Sequence, residues 1–129
     1  MEKGACIILT SVKTEADGLR LAEGVVKKGL AACVQMSAPG RSIYCWQGEL
    51  QSTDEYYLNI KTTEAVSEAA IAWLEQHHPY EIPEILRLSA ESGRAYLQWM
   101  RATAPLLSKS STEVRAVQKT DKRQDKELT

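Results

Sequence analysis

Two hydrophobic periods alternate along residues 1–107 in the order strand, helix, strand, strand, helix, strand, and few folds accommodate that order. Cys6-Ile7-Ile8-Leu9-Thr10 is a short apolar run with β-branched residues, which predicts a buried strand. Thr14-x-x-Asp17 is a helix-start signal, and Leu19, Ala22, Val26 and Leu30 follow at helical spacing. Gly29 stands where a helix-ending glycine would. The stretch from about Ala32 to Trp46 reads as a strand with a bulge or kink at Pro39-Gly40. Gln47-Gly48-Glu49 is the expected turn, and about Glu55 to Thr62 the next strand. There Tyr56, Leu58 and Ile60 share one face, and Glu55, Tyr57, Asn59 and Lys61 the other. Val66, Ala69, Ala70, Trp73, Leu74 and His77 recur at helical intervals, and Pro79 ends that helix. Glu84 to Ala90 reads as a strand with Leu86, Leu88 and Ala90 on one face. A third helix starts near Ser92 and carries Tyr96, Leu97, Trp99 and Met100.

This order predicts an α+β, ferredoxin-like βαββαβ sandwich with an extra C-terminal helix. Such a fold puts two helices on one side of an antiparallel sheet and leaves the other side bare. The first strand is apolar at both parities, Ile8 and Thr10 against Ile7 and Leu9, so it needs cover on both faces. A second copy of the chain is the expected cover, which predicts a homo-oligomer.

Charge refines the domain boundaries. Sixteen basic residues face seventeen acidic ones in a 129-residue chain, so there is no basic excess to drive nucleic-acid binding. Residues 108–129 hold ten of those charges and few apolar side chains, and are expected to be a flexible tail following a folded unit of residues 1–107. No apolar run is long enough to span a bilayer, and no leader-like apolar stretch follows Met1, so a cytoplasmic location is expected. The three cysteines, Cys6, Cys33 and Cys45, are far apart and form no CxxC, which argues against a disulfide framework or a zinc ribbon.

Three groups of residues could carry chemistry. His77 and His78 are the only histidines, and imidazole suits copper, zinc or nickel. Adjacent helical side chains diverge by about 100°, so a shared ion would need ligands from elsewhere or from another subunit. The structural alternative is that His77 continues the apolar stripe while His78 meets the negative end of the helix. Pro79 and Pro83 stiffen a loop that either presents Tyr80 and Glu81 or only connects helix to strand. Tyr44 and Trp46 share a strand face near Glu55 and Lys61, as a ligand shelf or as core, interface and ion-pair residues. The chain carries no GxSxG, phosphate-cradling glycine loop or HExxH, and no enzymatic activity is expected.

Leu30-Ala31-Ala32-Cys33-Val34, Tyr44-x-Trp46-x-Gly48, Glu55, Lys61-Thr62 and His78-Pro79-Tyr80-Glu81-x-Pro83-Glu84 occur in the order and spacing of one family. Together they resemble the CutA family, the divalent-cation tolerance proteins, over about Ile7 to Met100. The resemblance implies a homotrimer with PII-like architecture and a role in tolerance of copper and other divalent ions. It also implies intersubunit clefts lined by residues similar to Trp46, Glu55, Lys61, Tyr80 and Glu81. Copper binding in bacterial members is attributed to a first-strand cysteine plus the two adjacent histidines. Here His77 and His78 match, but Thr10 stands in the cysteine's place, and a hydroxyl is a poor ligand for a soft cuprous ion. Glu49 departs from the basic residue that the family tends to carry after the turn. The alternative function is a PII-like sensor of an anionic metabolite in the same cleft. A third reading, an acylphosphatase-like enzyme, would rest on Arg41 and Asn59 alone.

Overall fold

Residues 1–107, which the computed structural model describes, contain β1 (Glu2–Val12), α1 (Glu15–Lys27), β2 (Cys33–Met36), β3 (Gly40–Trp46), β4 (Glu49–Thr63), α2 (Glu64–His77), β5 (Leu86–Ser92) and α3 (Arg94–Leu107). The charged tail expected at 108–129 lies outside the described residues. The sheet is antiparallel in the order β2-β4-β1-β5, with β3 paired to the outer part of β4. This is the ferredoxin-like arrangement that the alternation of periods predicts, with α3 added. Among the described residues no helix is long and apolar enough to cross a membrane.

The caps follow the sequence signals. Thr14 Oγ1 accepts the Asp17 N–H at 3.1 Å and so starts α1. Gly29, at φ 73°, follows its last turn. Arg20 Nη1 donates to the His77 carbonyl oxygen at 3.1 Å, giving the end of α2 a donor from the neighbouring helix.

One expectation is corrected. The single strand from about Ala32 to Trp46 is two strands with different neighbours along β4. Ser37 closes β2, donating its N–H to Tyr57 O at 2.9 Å while its hydroxyl takes the Tyr57 N–H at 3.0 Å. Pro39 has no N–H to continue the ladder, and β3 then pairs with β4 from Gly40↔Glu55 out to Trp46↔Glu49. A Cβ on Gly40 would lie 2.4 Å from Tyr57 Cε2, so any side chain there would have to displace that ring. Gln47 and Gly48 both have positive φ, which makes the two-residue turn a type I′ hairpin.

The register sorts each strand into two faces. Ile8 and Val12 of β1 lie with Leu58 and Ile60 of β4 against Leu21 and Val25 of α1 and Ala70 and Leu74 of α2. Burying each of the larger apolar side chains contributes about 1.5–3 kcal/mol. On the opposite face, α3 seats Leu97 and Met100 against Ala5 and Ala32. Its cover stops there. Ile7 and Leu9 are only partly buried, and Leu86 and Leu88, which pair beside them, remain 54% and 50% exposed.

Candidate functional site

The uncovered sheet face runs into a cleft at the root of the β3–β4 hairpin. Glu55 of β4 is 6% exposed, an unusual place for a carboxylate. Its Oε2 accepts two hydrogen bonds, from Tyr80 Oη at 2.6 Å and from Ser11 Oγ at 3.1 Å. Burial and the adjoining Glu55 carboxylate push the Tyr80 hydroxyl well above its ordinary pKa, so it stays a donor. Tyr44 and Trp46 lie along β3 on one side of the same cleft, and Glu81 and Glu84 on the connector after α2. Its volume is about 880 Å³.

His78 fixes the connector from behind. It is 8% exposed, and both ring nitrogens are engaged. Nδ1 accepts the Tyr80 backbone N–H at 3.1 Å. The proton therefore sits on Nε2, which lies 3.0 Å from the Ser11 carbonyl oxygen and 3.0 Å from Thr10 Oγ1. Burial lowers the His78 pKa, more than the Ser11 carbonyl contact raises it. One chain of contacts thus links the end of β1 through His78 and Tyr80 to Glu55.

His77 is placed differently. It is exposed and stacks on Trp73 with ring centroids 4.2 Å apart. Its Nδ1 lies 2.8 Å from the Trp73 carbonyl oxygen and donates to it, which leaves Nε2 with the lone pair. The two adjacent imidazoles therefore do not converge. Thr10 touches His78, as a hydrogen-bond partner. Among the described residues no group of three or more His, Cys, Asp or Glu side chains is placed to hold a metal ion. The described residues of one chain alone do not fit a copper centre.

Of the residues singled out as cleft lining, Trp46, Glu55, Tyr80 and Glu81 come together and Lys61 does not. Lys61 shares the sheet face of Glu55 but lies six positions along the strand, and its Nζ donates to Gln35 Oε1. Ser11 was not legible as a site residue. It reaches Glu55 because β1 and β4 pair with Ser11 opposite Tyr57, a register that local spacing does not encode. Glu84 and Lys13 also join the lining, both polar residues next to recognised elements.

The family of CutA1 divalent ion tolerance proteins matches residues 6–103. The Divalent-cation tolerance protein CutA of Pectobacterium atrosepticum is 36% identical over 100 residues, which are 77% of this chain and 91% of that protein. Its counterpart from Yersinia pestis (strain Pestoides F) is 35% identical over 100 residues, covering 77% of this chain and 84% of that protein. Among solved structures, CutA from Synechococcus elongatus PCC7942 is 38% identical with a TM-score of 0.75, covering 78% of this chain and 90% of that one. The divalent cation tolerance protein (Cut A1) from Thermus thermophilus is 36% identical with a TM-score of 0.73, covering 77% and 97%.

Proposed function

The chain belongs to the CutA1 divalent ion tolerance family, and on that premise we propose that it serves divalent-cation tolerance as a cytoplasmic homotrimer, with a ligand site in the Glu55 cleft and a cation site at His77. The observation that carries the proposal is the uncovered sheet face beside that cleft. Leu86 and Leu88 expose about half of their surface next to Ile7 and Leu9, and burying them between subunits stabilises association. Self-association along this face would bring a neighbouring subunit to the mouth of the open cleft.

The charge of the cleft supports a cationic ligand over an anionic metabolite. Glu55, Glu81 and Glu84 line it against Lys13, while Lys61 is occupied by Gln35. Copper or another divalent cation enters this function at His77, each chain's imidazole with an available nitrogen, with its remaining ligands from elsewhere. Its Nδ1 bond to a backbone carbonyl is the second contact that orients metal-binding imidazoles. The free thiols, with Cys45 exposed, suit a reducing compartment.

Light scattering of the purified full chain tests the assembly. The expected mass is three times the 14.4 kDa subunit; a single-subunit mass overturns the trimer. Equilibrium titration with copper then tests the cation role, and no binding by the trimer removes it.

A further inference from the structure

The dimensions of the Glu55 cleft bear on what it binds. About 880 Å³ falls within the roughly 300–1,000 Å³ of small-molecule sites. A bare ion would leave most of it filled with water, and no group of three ionic or soft ligands converges among the described residues. The space suits a molecule of several heavy atoms.

The lining is of two kinds. Tyr44 and Trp46, each 40% exposed, lay aromatic surface along one wall. Tyr44 is steadied by its hydroxyl, 3.1 Å from Thr53 Oγ1. The Glu55 carboxylate lies on the same face of the β3–β4 hairpin, at its root. Both of its hydrogen bonds fall on Oε2, which leaves Oε1 as an acceptor with no partner among the described residues. Tyr80 and Ser11 spend their hydroxyl protons on Oε2, so neither is free to greet an anion. Glu81 and Glu84 add negative charge at the rim, opposed by Lys13.

Aromatic surface beside a held carboxylate is the recognition chemistry of organic cations. The rings take an apolar body, and the carboxylate takes an N–H in a charge-assisted hydrogen bond. An organic anion would meet three carboxylates with only one ammonium in compensation. The geometry points to an organic ammonium ion, with an apolar body against Tyr44 and Trp46 and its nitrogen at Glu55 Oε1, as the ligand class of this cleft. This rests on the cleft being the binding site proposed above. The amine and the metal ion then occupy separate places, the cleft and the exposed His77, on the same subunit.

The test is calorimetric titration of the full chain with n-hexylammonium and, in parallel, with hexanoate, its anionic counterpart of similar length. Light scattering of the same sample gives the oligomeric state. The expected result is binding of hexylammonium but not of hexanoate, with Glu55→Gln and Trp46→Ala each weakening it by about tenfold or more, near 1.4 kcal/mol. Trp46 lies on the exposed hairpin, so its variant keeps the test valid if Glu55→Gln folds poorly. Hexylammonium binding that neither variant changes overturns the inference. Hexanoate binding that Trp46→Ala removes, without hexylammonium binding, overturns the ligand class but leaves the cleft as the site. Binding of neither ion by trimeric protein overturns the cleft reading as well.

Discussion

Tyr80 donates its hydroxyl to Glu55 Oε2 at 2.6 Å, tying the connector after α2 to the middle of β4, 25 residues away in sequence. The bond matters because the acceptor is nearly enclosed. A buried carboxylate that loses a donor keeps its desolvation cost. Tyr80→Phe keeps the ring and removes the bond, and is expected to destabilise the fold by about 1.5–3 kcal/mol, the range for hydrogen bonds to charged groups. Urea unfolding measures it, and a midpoint equal to wild type would show that the bond contributes nothing net.

His78 should make stability depend on pH. Burial is the largest influence on it and lowers its pKa below 6.5; Arg20 lowers it further, and the Ser11 carbonyl, Asp17 and Glu55 oppose the shift. A base with a lowered pKa is held neutral by folding. The stability it contributes is therefore complete above pH 6.5 and is lost as pH falls from there through the lowered folded value. Protonation also ends acceptance of the Tyr80 N–H at Nδ1. Unfolding midpoints between about pH 7.5 and about pH 5 should fall with acidity in the wild type and flatten in His78→Gln. Parallel profiles for the two proteins would assign the acid sensitivity to other groups.

The fold was legible where the hydrophobic period is regular. Tyr56, Leu58 and Ile60 alternate with Glu55, Tyr57, Asn59 and Lys61, and the strand places them on the two faces accordingly. Glu49–Asp54 has no such alternation, and it becomes strand only because β3 pairs with it. That is why β4 runs to fifteen residues while its apolar pattern covers about half of them. The same limit applies to the cleft. Trp46, Tyr80 and Glu81 line one cleft with Glu55 by tertiary placement, and Tyr80 bonds to it. Lys61 shares the face but lies roughly 20 Å along the strand at about 3.3 Å per residue, beyond direct reach. Ser11 depends on strand register, and the separate fates of His77 and His78 depend on α2 ending between them.

Those separate fates predict unequal effects on copper binding. His77 has an exposed nitrogen lone pair, whereas a metal at either nitrogen of His78 must displace a hydrogen bond. In equilibrium titration of the oligomer, His77→Ala should weaken copper binding by about tenfold or more, the loss of roughly one ligand's 1.4 kcal/mol or greater. His78→Gln should change it less and act mainly on stability. The opposite ranking would show that the buried imidazole, with Thr10 beside it, is the one the ion recruits.

Leu88 offers the sharpest test of the uncovered face. It pairs opposite Ile7 on β5, is 50% exposed, and lies beyond the cover that Leu97 and Met100 give to Ala5. A charged side chain there can reach water in an isolated subunit, so the fold should survive. In an assembly the same charge is desolvated without a partner, which opposes association by several kcal/mol. Leu88→Arg is therefore expected to lower the mass in light scattering toward the single 14.4 kDa subunit while the far-ultraviolet circular dichroism stays that of the wild type. An unchanged mass would mean that the subunits meet elsewhere. Loss of the dichroism signal would instead show that this face is needed to fold, as for a chain with no stable monomer.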